Sequence, residues 1–203
     1  MARANDGSVA SLKDIADKKV SVITLGGIAD LGLRVMLAKA GVSYKSLQVL
    51  EVPYPQITPA LAQGRIDLGA QVEPFSSLMQ MKKAGKVIKR GIFGGELGPR
   101  YLVAGWFAKK AWIAKNTAAA RAFTRAITGA VKHLNAHPNE APALIAANTR
   151  LTEQLANRIV RSAHEPTIRT ADLQPIIDAA AKHRIIDKSF AASEIVPNIA
   201  PRR

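Results

Sequence analysis

The amino-acid sequence predicts an α/β fold in which a mostly parallel sheet is followed by an α-rich second half. Three short apolar segments, at residues 20–24, 47–52 and 66–72, alternate with amphipathic segments along the first hundred residues. Strands separated by helices are typical of a parallel sheet that helices cover on both faces. From residue 117 onward, apolar residues recur at helical spacing instead. Between the halves lie Gly91, Gly94, Gly95 and Gly98, so we place a boundary near residue 98.

The first half is expected to hold four strands and three helices. Gly41 is positioned to cap the first helix, prolines interrupt the chain before the second, and Gly85 closes the third. The strands are expected at residues 20–24, 47–52, 66–72 and 87–92, and the helices at residues 29–40, up to 63–64, and at 74–84.

The second half is expected to be helical after one strand at residues 101–107. In the helix at residues 117–136, Phe123, Ile127 and Leu134 share one face, and Pro138 ends it. Further helices are expected at residues 140–147, 152–162 and 170–183, with Thr152 and Thr170 as N-caps. Because this half has no sheet of its own, we expect it to pack on something that the chain does not encode.

Composition indicates a folded protein and argues against several partners. The 203 residues are 48% hydrophobic and carry a net charge of +14, from 29 Lys and Arg against 15 Asp and Glu. The excess is even along the chain, and aromatic residues are few, so no nucleic-acid partner is expected. The absence of cysteine excludes disulfides and thiolate metal sites. The N-terminus lacks the apolar core of a signal peptide, and no apolar run approaches membrane-spanning length.

The turn between the first strand and the first helix is the foremost candidate for a ligand site. Gly26 and Gly27 precede a helix start, where backbone N–H groups lack intrahelical acceptors and the peptide dipoles add partial positive charge. Glycine also lets a ligand approach the backbone closely. A βα loop that only needs flexible backbone explains the glycines equally well. The glycine spacing differs from the dinucleotide fingerprint, and no phosphate-loop motif occurs, so no nucleotide cofactor is expected.

A second candidate lies where the third strand meets a helix, at Gln71 and Glu73. Ligands of open α/β sheets gather at the carboxyl ends of strands, so Glu73 is placed to accept hydrogen bonds from one. The alternative is that Glu73 and Pro74 only begin the helix. Elsewhere, His133 and His137 have helical metal-ligand spacing, but no third ligand of convincing spacing accompanies them, so no metal site is expected. No catalytic Ser/His/Asp arrangement is evident.

Several stretches, taken in order, resemble the solute-binding proteins of sulfonate, nitrate, taurine and thiamine-precursor ABC importers. The stretches are residues 11–20, 24–30 (Thr-Leu-Gly-Gly-Ile-Ala-Asp), 52–56 (Val-Pro-Tyr-Pro-Gln), 59–67, 72–75 (Val-Glu-Pro-Phe), 101–103 and 135–138 (Asn-Ala-His-Pro). The resemblance implies a type II periplasmic-binding-protein-like fold, in which two α/β lobes hold a small polar or anionic solute in the cleft between them without chemistry. No catalytic residue and no cofactor are implied.

The resemblance also implies a division of the chain. Residues 1–17 would be a linker or crossover, 18–98 a complete second lobe, and 99–203 a return strand and helices of an incomplete first lobe. The opening of that first lobe, with any signal peptide, would precede this sequence. A periplasmic location is implied if the full gene carries one. ABC permease subunits are the implied partners, and self-association through exposed apolar surface is expected.

Site residues carried over from the family fall at three strand ends. They are Thr24, Gly26, Gly27, Ile28 and Asp30 in the glycine loop, Gln56 after the second strand, and Gln71 and Glu73 after the third. The glycine backbone and the Thr24 hydroxyl would donate to a polar or anionic head group, whereas Glu73 suits an amine or an aminopyrimidine.

Two other functions stay open. A cytoplasmic effector-binding lobe of a transcription regulator shares the two-lobe plan, but no helix-turn-helix is visible. A relative of the pyrimidine-precursor synthase is disfavoured, because its cysteine-rich iron site has no counterpart in a chain without cysteine.

Overall fold

The structure is a computed structural model that describes residues 1–92, 95–149, 151–198 and 200. Gly94, one of the glycines in the predicted connection, lies outside the described residues. The strands are β1 (Ala2–Arg3), β2 (Lys19–Val22), β3 (Gln48–Glu51), β4 (Leu68–Gly69) and β5 (Gly85–Lys86). The helices are α1 (Ile28–Ala40), α2 (Tyr54–Ala62), α3 (Phe75–Met81), α4 (Lys110–Lys115), α5 (Thr117–Ala136), α6 (Ala141–Asn148), α7 (Glu153–Ala156) and α8 (Thr170–Lys182).

The five strands form one mixed sheet in the order β3-β2-β4-β1-β5. β2 runs parallel to both neighbours, with Val20 opposite Val49 on β3 and Leu68 on β4. β1 is antiparallel to β4 and β5, and nothing in the sequence pattern indicated it. The predicted α/β class, with parallel strands connected by helices, is confirmed.

Several predicted elements are confirmed closely, and others are wrong. The helices predicted at residues 29–40, 117–136 and 170–183 correspond to α1, α5 and α8. The helix predicted at residues 152–162 is only the four-residue α7, although Thr152 caps it by accepting a hydrogen bond from the Leu155 N–H. The prolines do not delay α2, which begins at Tyr54. Pro53 and Pro55 lie at its N-cap and in its first turn, where proline is tolerated, and Pro59 lies inside the helix.

Two of the predicted strands, at residues 87–92 and 101–107, are wrong. The chain pairs at Gly85–Lys86 and not at residues 87–92. Residues 101–109 form no strand or helix, although they include an apolar run. A strand needs a neighbouring strand to bond its backbone groups, and the run has none among the described residues. Its aromatic side chains are correspondingly unburied: Trp106 is 73% exposed and Phe107 is 99% exposed.

The chain divides into two compact units. The first unit comprises Met1–Val103 and Pro175–Ser189. It contains the sheet and three buried apolar clusters. In the largest, Val20 and Val22 on β2 pack with Leu33 and Leu37 on α1. The helix that leaves the glycine loop is therefore anchored on the sheet by its apolar face.

The second unit comprises Ala104–Gln174 and Phe190–Arg203, and its regular elements among the described residues are all helices. Its buried residues among those described are Ala120, Pro142, Leu155, Ala156, Ala192 and Val196. Across the described part of the chain, no helix combines the length and the apolar character needed to cross a membrane.

Candidate functional site

Three strand ends lie side by side at one edge of the sheet in the first unit. The Val52 N–H donates to the Val22 carbonyl at 2.9 Å, and the Ala70 N–H donates to the Ser21 carbonyl at 2.8 Å. The segments that follow β2, β3 and β4 therefore leave the sheet at the same level. We call the residues that directly follow these strands, together with Glu51, the carboxyl edge. Open α/β sheets bind ligands at such an edge.

The glycine loop at the carboxyl edge is held by hydrogen bonds within the chain. Gly26 has a φ of +73°, a conformation that side chains rarely adopt, and its N–H donates to Asp30 Oδ2 at 2.9 Å. The Gly27 N–H donates to the Thr24 carbonyl at 3.2 Å. The expectation that these two N–H groups are free to bind a ligand is therefore wrong, because both already have acceptors.

Donors remain one residue further along. Gly27 is the N-cap of α1 and supplies no side chain to cap it, and the first bond along the helix runs from the Leu31 N–H to the Gly27 carbonyl. Within the described residues, the N–H groups of Ile28 and Ala29 have no acceptor, as is usual in a first helical turn. The Thr24 side chain is exposed beside them. This turn carries the partial positive charge of the helix dipole.

Asp30 organises the loop from inside the protein. Its side chain is 0% exposed, and its Oδ1 accepts a hydrogen bond from the Tyr44 hydroxyl at 2.6 Å. Its Oδ2 accepts from Arg34 Nη2 at 3.1 Å as well as from Gly26. The Arg34 guanidinium also stacks 4.0 Å above the Tyr44 ring. Both carboxylate oxygens are thus engaged within the chain, so Asp30 shapes the loop and does not face a ligand.

The same network shifts the pKa values of its members. Burial, followed by the hydrogen bond to Asp30, raises the pKa of Tyr44 to about 12. Burial opposes the charged form of Arg34, but the hydrogen bond and charge of Asp30 outweigh it and raise the Arg34 pKa. The network therefore consists of a neutral phenol and a charged arginine at neutral pH.

Gln71 is the candidate residue with an unused buried polar atom. It follows β4 and is 9% exposed. Its Nε2 donates to the Tyr54 carbonyl at 3.2 Å, whereas its Oε1 is buried without a hydrogen-bond partner. An unsatisfied buried acceptor costs free energy, of the order of 1–3 kcal/mol. This acceptor lies on a residue that directly follows β4, at the carboxyl edge.

Glu73 and Gln56 give weaker indications of a ligand site than Gln71 does. The Glu73 carboxylate accepts hydrogen bonds from the Ser76 hydroxyl at 2.5 Å and from the Ser77 N–H at 3.3 Å, so it caps the start of α3. This is the helix-start role that the sequence left open, and it uses one bond on each oxygen. Gln56 is exposed on the first turn of α2.

Sequence reasoning missed three residues of the carboxyl edge. Glu51, the last residue of β3, accepts a hydrogen bond from the Leu25 N–H at 2.7 Å and so fixes the glycine loop from the neighbouring strand. Tyr54 and Phe75 stack with ring centroids 6.3 Å apart, next to Gln71 and Glu73. The rule that ligands gather at strand ends would have found Glu51. The sequence did not indicate that Tyr54 and Phe75 pair, because they lie at the starts of two different helices.

Two further features share no residue with the carboxyl edge. A concavity of about 280 Å³ is lined by Arg3, Asn5, Asp6 and Gly7, and contains none of the predicted site residues. In the second unit, His133, His137 and Glu140 lie together. The expectation that the two histidines lack a third ligand is therefore wrong, since a turn after Pro138 brings Glu140 back to them.

Comparison with known proteins gives one family and several structures. The sequence model of a family described as NMT1/THI5 like matches residues 1–141. Curated proteins give no match. Three similar structures are sulfonate-binding proteins of bacteria. One is the periplasmic aliphatic sulphonate binding protein SsuA from Escherichia coli, with a TM-score of 0.71, 19% identity, and coverage of 96% of this chain and 66% of that chain.

The other two structures agree. The alkanesulfonate-binding protein SsuA from Xanthomonas axonopodis pv. citri, bound to MOPS, has a TM-score of 0.74, 15% identity, and coverage of 96% of this chain and 67% of that one. A putative sulfonate ABC transporter periplasmic sulfonate-binding protein, SsuA from Methylobacillus flagellatus KT, has a TM-score of 0.66 and 15% identity. The match covers 96% of this chain and 61% of that chain. The chain thus spans 61–67% of the length of these proteins. The likeness confirms the predicted type II periplasmic-binding-protein-like fold.

Proposed function

Because the chain belongs to the NMT1/THI5-like family, we propose that it is the solute-binding component of an ABC importer and holds its ligand at the carboxyl edge of the first unit. The ligand is a small polar or anionic organic solute of the sulfonate, nitrate, taurine or thiamine-precursor class. It is bound and released unchanged. The partners in this proposal are ABC permease subunits, and the location is periplasmic.

The observation that carries the proposal is the buried Oε1 of Gln71. A protein seldom leaves a buried acceptor unpaired, and an acceptor at the edge where α/β sheets bind ligands points to a donor group from outside the chain. Ser21, on β2, also has a buried hydroxyl oxygen without a hydrogen-bond partner. The carboxyl edge thus combines the unpaired Oε1 of Gln71 with the N–H groups of Ile28 and Ala29, which have no acceptor among the described residues.

Two ends of the proposed ligand meet different groups. An anionic or polar head group accepts hydrogen bonds from the Ile28 and Ala29 N–H groups and from the Thr24 hydroxyl, where the helix dipole adds attraction. A donor group such as an amine binds the Oε1 of Gln71. Gly26, Gly27 and Asp30 hold the loop in shape for this contact.

Charge narrows the class of ligand. Glu51 and Glu73 place two carboxylates at the carboxyl edge, and both disfavour a bare anion such as nitrate. A solute that carries an amine or an aminopyrimidine together with its acidic or polar head group offsets that repulsion. The aromatic pair of Tyr54 and Phe75 offers an apolar contact for the part between the two ends.

Calorimetric titration of the 203-residue protein tests the proposal. Taurine, a short alkanesulfonate, nitrate and an aminopyrimidine are titrated in turn. We expect taurine or the aminopyrimidine to bind more tightly than nitrate. Gln71→Leu should weaken that binding about tenfold or more, since it removes the acceptor of the donor group. The matched control is Gln63→Leu, at the exposed end of α2. Failure of all four solutes to bind, or equal affinity in the two variants, would overturn the proposal.

A further inference from the structure

His133, His137 and Glu140 in the second unit form a cluster with no part in the proposed solute site. One ligand atom from each of the three side chains lies within 4.8 Å of the others. All three are accessible: His133 and Glu140 have side chains 54% and 43% exposed. Two imidazoles and one carboxylate that converge on one point are a typical ligand set for a transition metal.

The chain builds this cluster at the corner where α5 ends. The last turn closes with the His137 N–H donating to the His133 carbonyl at 2.9 Å, and Pro138 then begins the 3-10 turn Pro138–Glu140. The Glu140 N–H donates to the His137 carbonyl at 3.1 Å. The turn folds back, so that His133 Nε2 lies 2.8 Å from Glu140 Oε2 despite seven residues of separation.

Hydrogen bonding orients the His137 ring and fixes which of its nitrogens faces the backbone. Its Nδ1 lies 2.9 Å from the His133 carbonyl, which can only accept, so Nδ1 carries the hydrogen. The lone pair of the neutral ring is then on Nε2, the atom that a metal ion needs. A ligand histidine held through its other nitrogen by a backbone carbonyl is the usual outer arrangement of metal sites. The two imidazole rings stack with centroids 4.4 Å apart.

Contacts outside the cluster hold the corner in place. Arg161 Nη1 donates to the Pro138 carbonyl at 3.2 Å, and Asn135 Nδ2 donates to the His164 carbonyl at 3.0 Å. The backbone that carries the three ligands is thus tied to the segment around residues 161–164 of the same unit. Only side-chain rotations are needed to bring the ligand atoms together.

We propose that His133, His137 and Glu140 bind a single Zn²⁺ ion, with solvent completing the coordination. In tetrahedral zinc sites the ligand atoms lie about 3.3 Å apart, as follows from metal–ligand distances of about 2.0–2.2 Å. Small rotations of three exposed side chains close the cluster to that spacing. The ion takes the position between His133 Nε2 and Glu140 that a shared proton holds in the hydrogen bond.

The ligand chemistry favours Zn²⁺ over Mg²⁺ and Ca²⁺. Imidazole nitrogen suits zinc, whereas Mg²⁺ and Ca²⁺ prefer oxygen ligands, and this cluster offers a single carboxylate. The bound Zn²⁺ clamps the end of α5 to the turn before α6 and stabilises the folded second unit by mass action.

Metal titration of the full-length 203-residue protein, prepared without a histidine tag, tests the proposal. Isothermal calorimetry with ZnCl₂ should give one ion per chain, Co²⁺ should give the visible absorption bands of tetrahedral cobalt, and MgCl₂ should give no binding. His137→Ala and Glu140→Gln should each weaken Zn²⁺ binding about tenfold or more. His183→Ala and Glu153→Gln, which remove a histidine and an acid outside the cluster, should bind as the parent protein does.

Three outcomes would overturn the proposal. The first is the absence of Zn²⁺ binding, which would leave only a hydrogen bond between His133 and Glu140. The second is unchanged Zn²⁺ affinity in His137→Ala and Glu140→Gln, which would place the ion elsewhere. The third is equal binding of Mg²⁺. Circular dichroism checks that each variant is folded, as expected for substitutions at exposed or half-buried positions. None of these outcomes bears on the solute site, which lies in the first unit.

Discussion

The two units of the chain differ in what they bury. The three apolar clusters of the described residues lie in the first unit, as do the buried polar side chains Ser21, Asp30 and Gln71. In the second unit, Phe123 on α5 and the neighbouring Trp106 are largely exposed, although they contact each other edge to face. An amphipathic pattern therefore predicts a helix in both units, but it predicts a buried core in only one.

The contrast is sharpest for charged groups, so the largest expected effect comes from Asp30. Asp30→Ala leaves Arg34 and Tyr44 without their buried partner and releases the Gly26 N–H. We expect a loss of about 3 kcal/mol in the free energy of unfolding of the first unit. In the second unit, Glu140→Gln breaks an exposed pair and should cost less than about 1 kcal/mol in zinc-free buffer.

Chemical denaturation of the two variants measures both values. Hydrogen exchange measures local opening in each unit and so distinguishes the effect on one unit from the effect on the other. If both substitutions cost the same, the polar network around Asp30 does not hold the loop, and the contrast between buried and exposed charge fails.

Two helical glycines give the next effect, and it differs in sign between the units. A Cβ added at Gly32 on α1 would lie 1.5 Å from the Ile92 carbonyl oxygen, so the backbone must move. Gly32→Ala should destabilise the first unit by about 2–3 kcal/mol. A Cβ at Gly129 on α5 meets nothing within 4 Å, so Gly129→Ala should stabilise its helix by about 1 kcal/mol. A melting temperature that Gly32→Ala leaves unchanged or raises would contradict the tight packing at Gly32, and one that Gly129→Ala lowers would contradict the open space at Gly129.

Substitution of the buried Gln71 is expected to have a smaller effect on stability. Gln71→Met loses the hydrogen bond to the Tyr54 carbonyl but also removes the unpaired Oε1. The two changes oppose each other, so we expect the free energy of unfolding to change by less than about 1 kcal/mol. Urea denaturation measures it. A loss of 3 kcal/mol or more, an order-of-magnitude bound, would mean that Gln71 serves the core and not a ligand.

The last effect is seen only in alkaline solution and comes from Tyr44 in the first unit. The folded pKa of Tyr44 is raised to about 12, above the ordinary value of about 10. The neutral phenol is thus favoured in the folded state, and its contribution to stability is complete below pH 10. It is lost as the pH rises through 12. The stability of the parent protein should therefore fall more steeply between about pH 10 and pH 12 than that of Tyr44→Phe. Parallel curves for the two proteins would contradict the assignment.

Much of the fold follows from local sequence. The strand at Val20 and Val22, the helix after Gly27 and the Gly41 cap are each specified by a few neighbouring residues, and all three are confirmed. β1 was not predicted, because two residues between longer strands carry no periodic signal. The run around Trp106 was predicted as a strand from its composition, but pairing depends on a partner that composition does not reveal.

The site was predictable to a lesser extent. The sequence places the glycine loop, Gln71 and Glu73 at strand ends, and parallel pairing brings those ends together. It does not show which N–H groups are used within the chain, because the acceptors Asp30 and Glu51 reach the loop through tertiary contacts. The Glu140 carboxylate was missed for the same reason, since the turn at Pro138 sets its position.

The measurement that tests the proposed solute site most directly is the affinity of Gly27→Asp for the solute that the parent protein binds. An aspartate at this N-cap accepts the Ala29 N–H itself and adds a negative charge, while it caps the helix favourably. We expect stability to be kept and affinity to fall about a hundredfold or more. Gly27→Ala adds the same Cβ, 3.1 Å from the Thr24 carbonyl oxygen, without the charge, and should lose less than about tenfold. Unchanged affinity in Gly27→Asp would contradict a solute site at the start of α1.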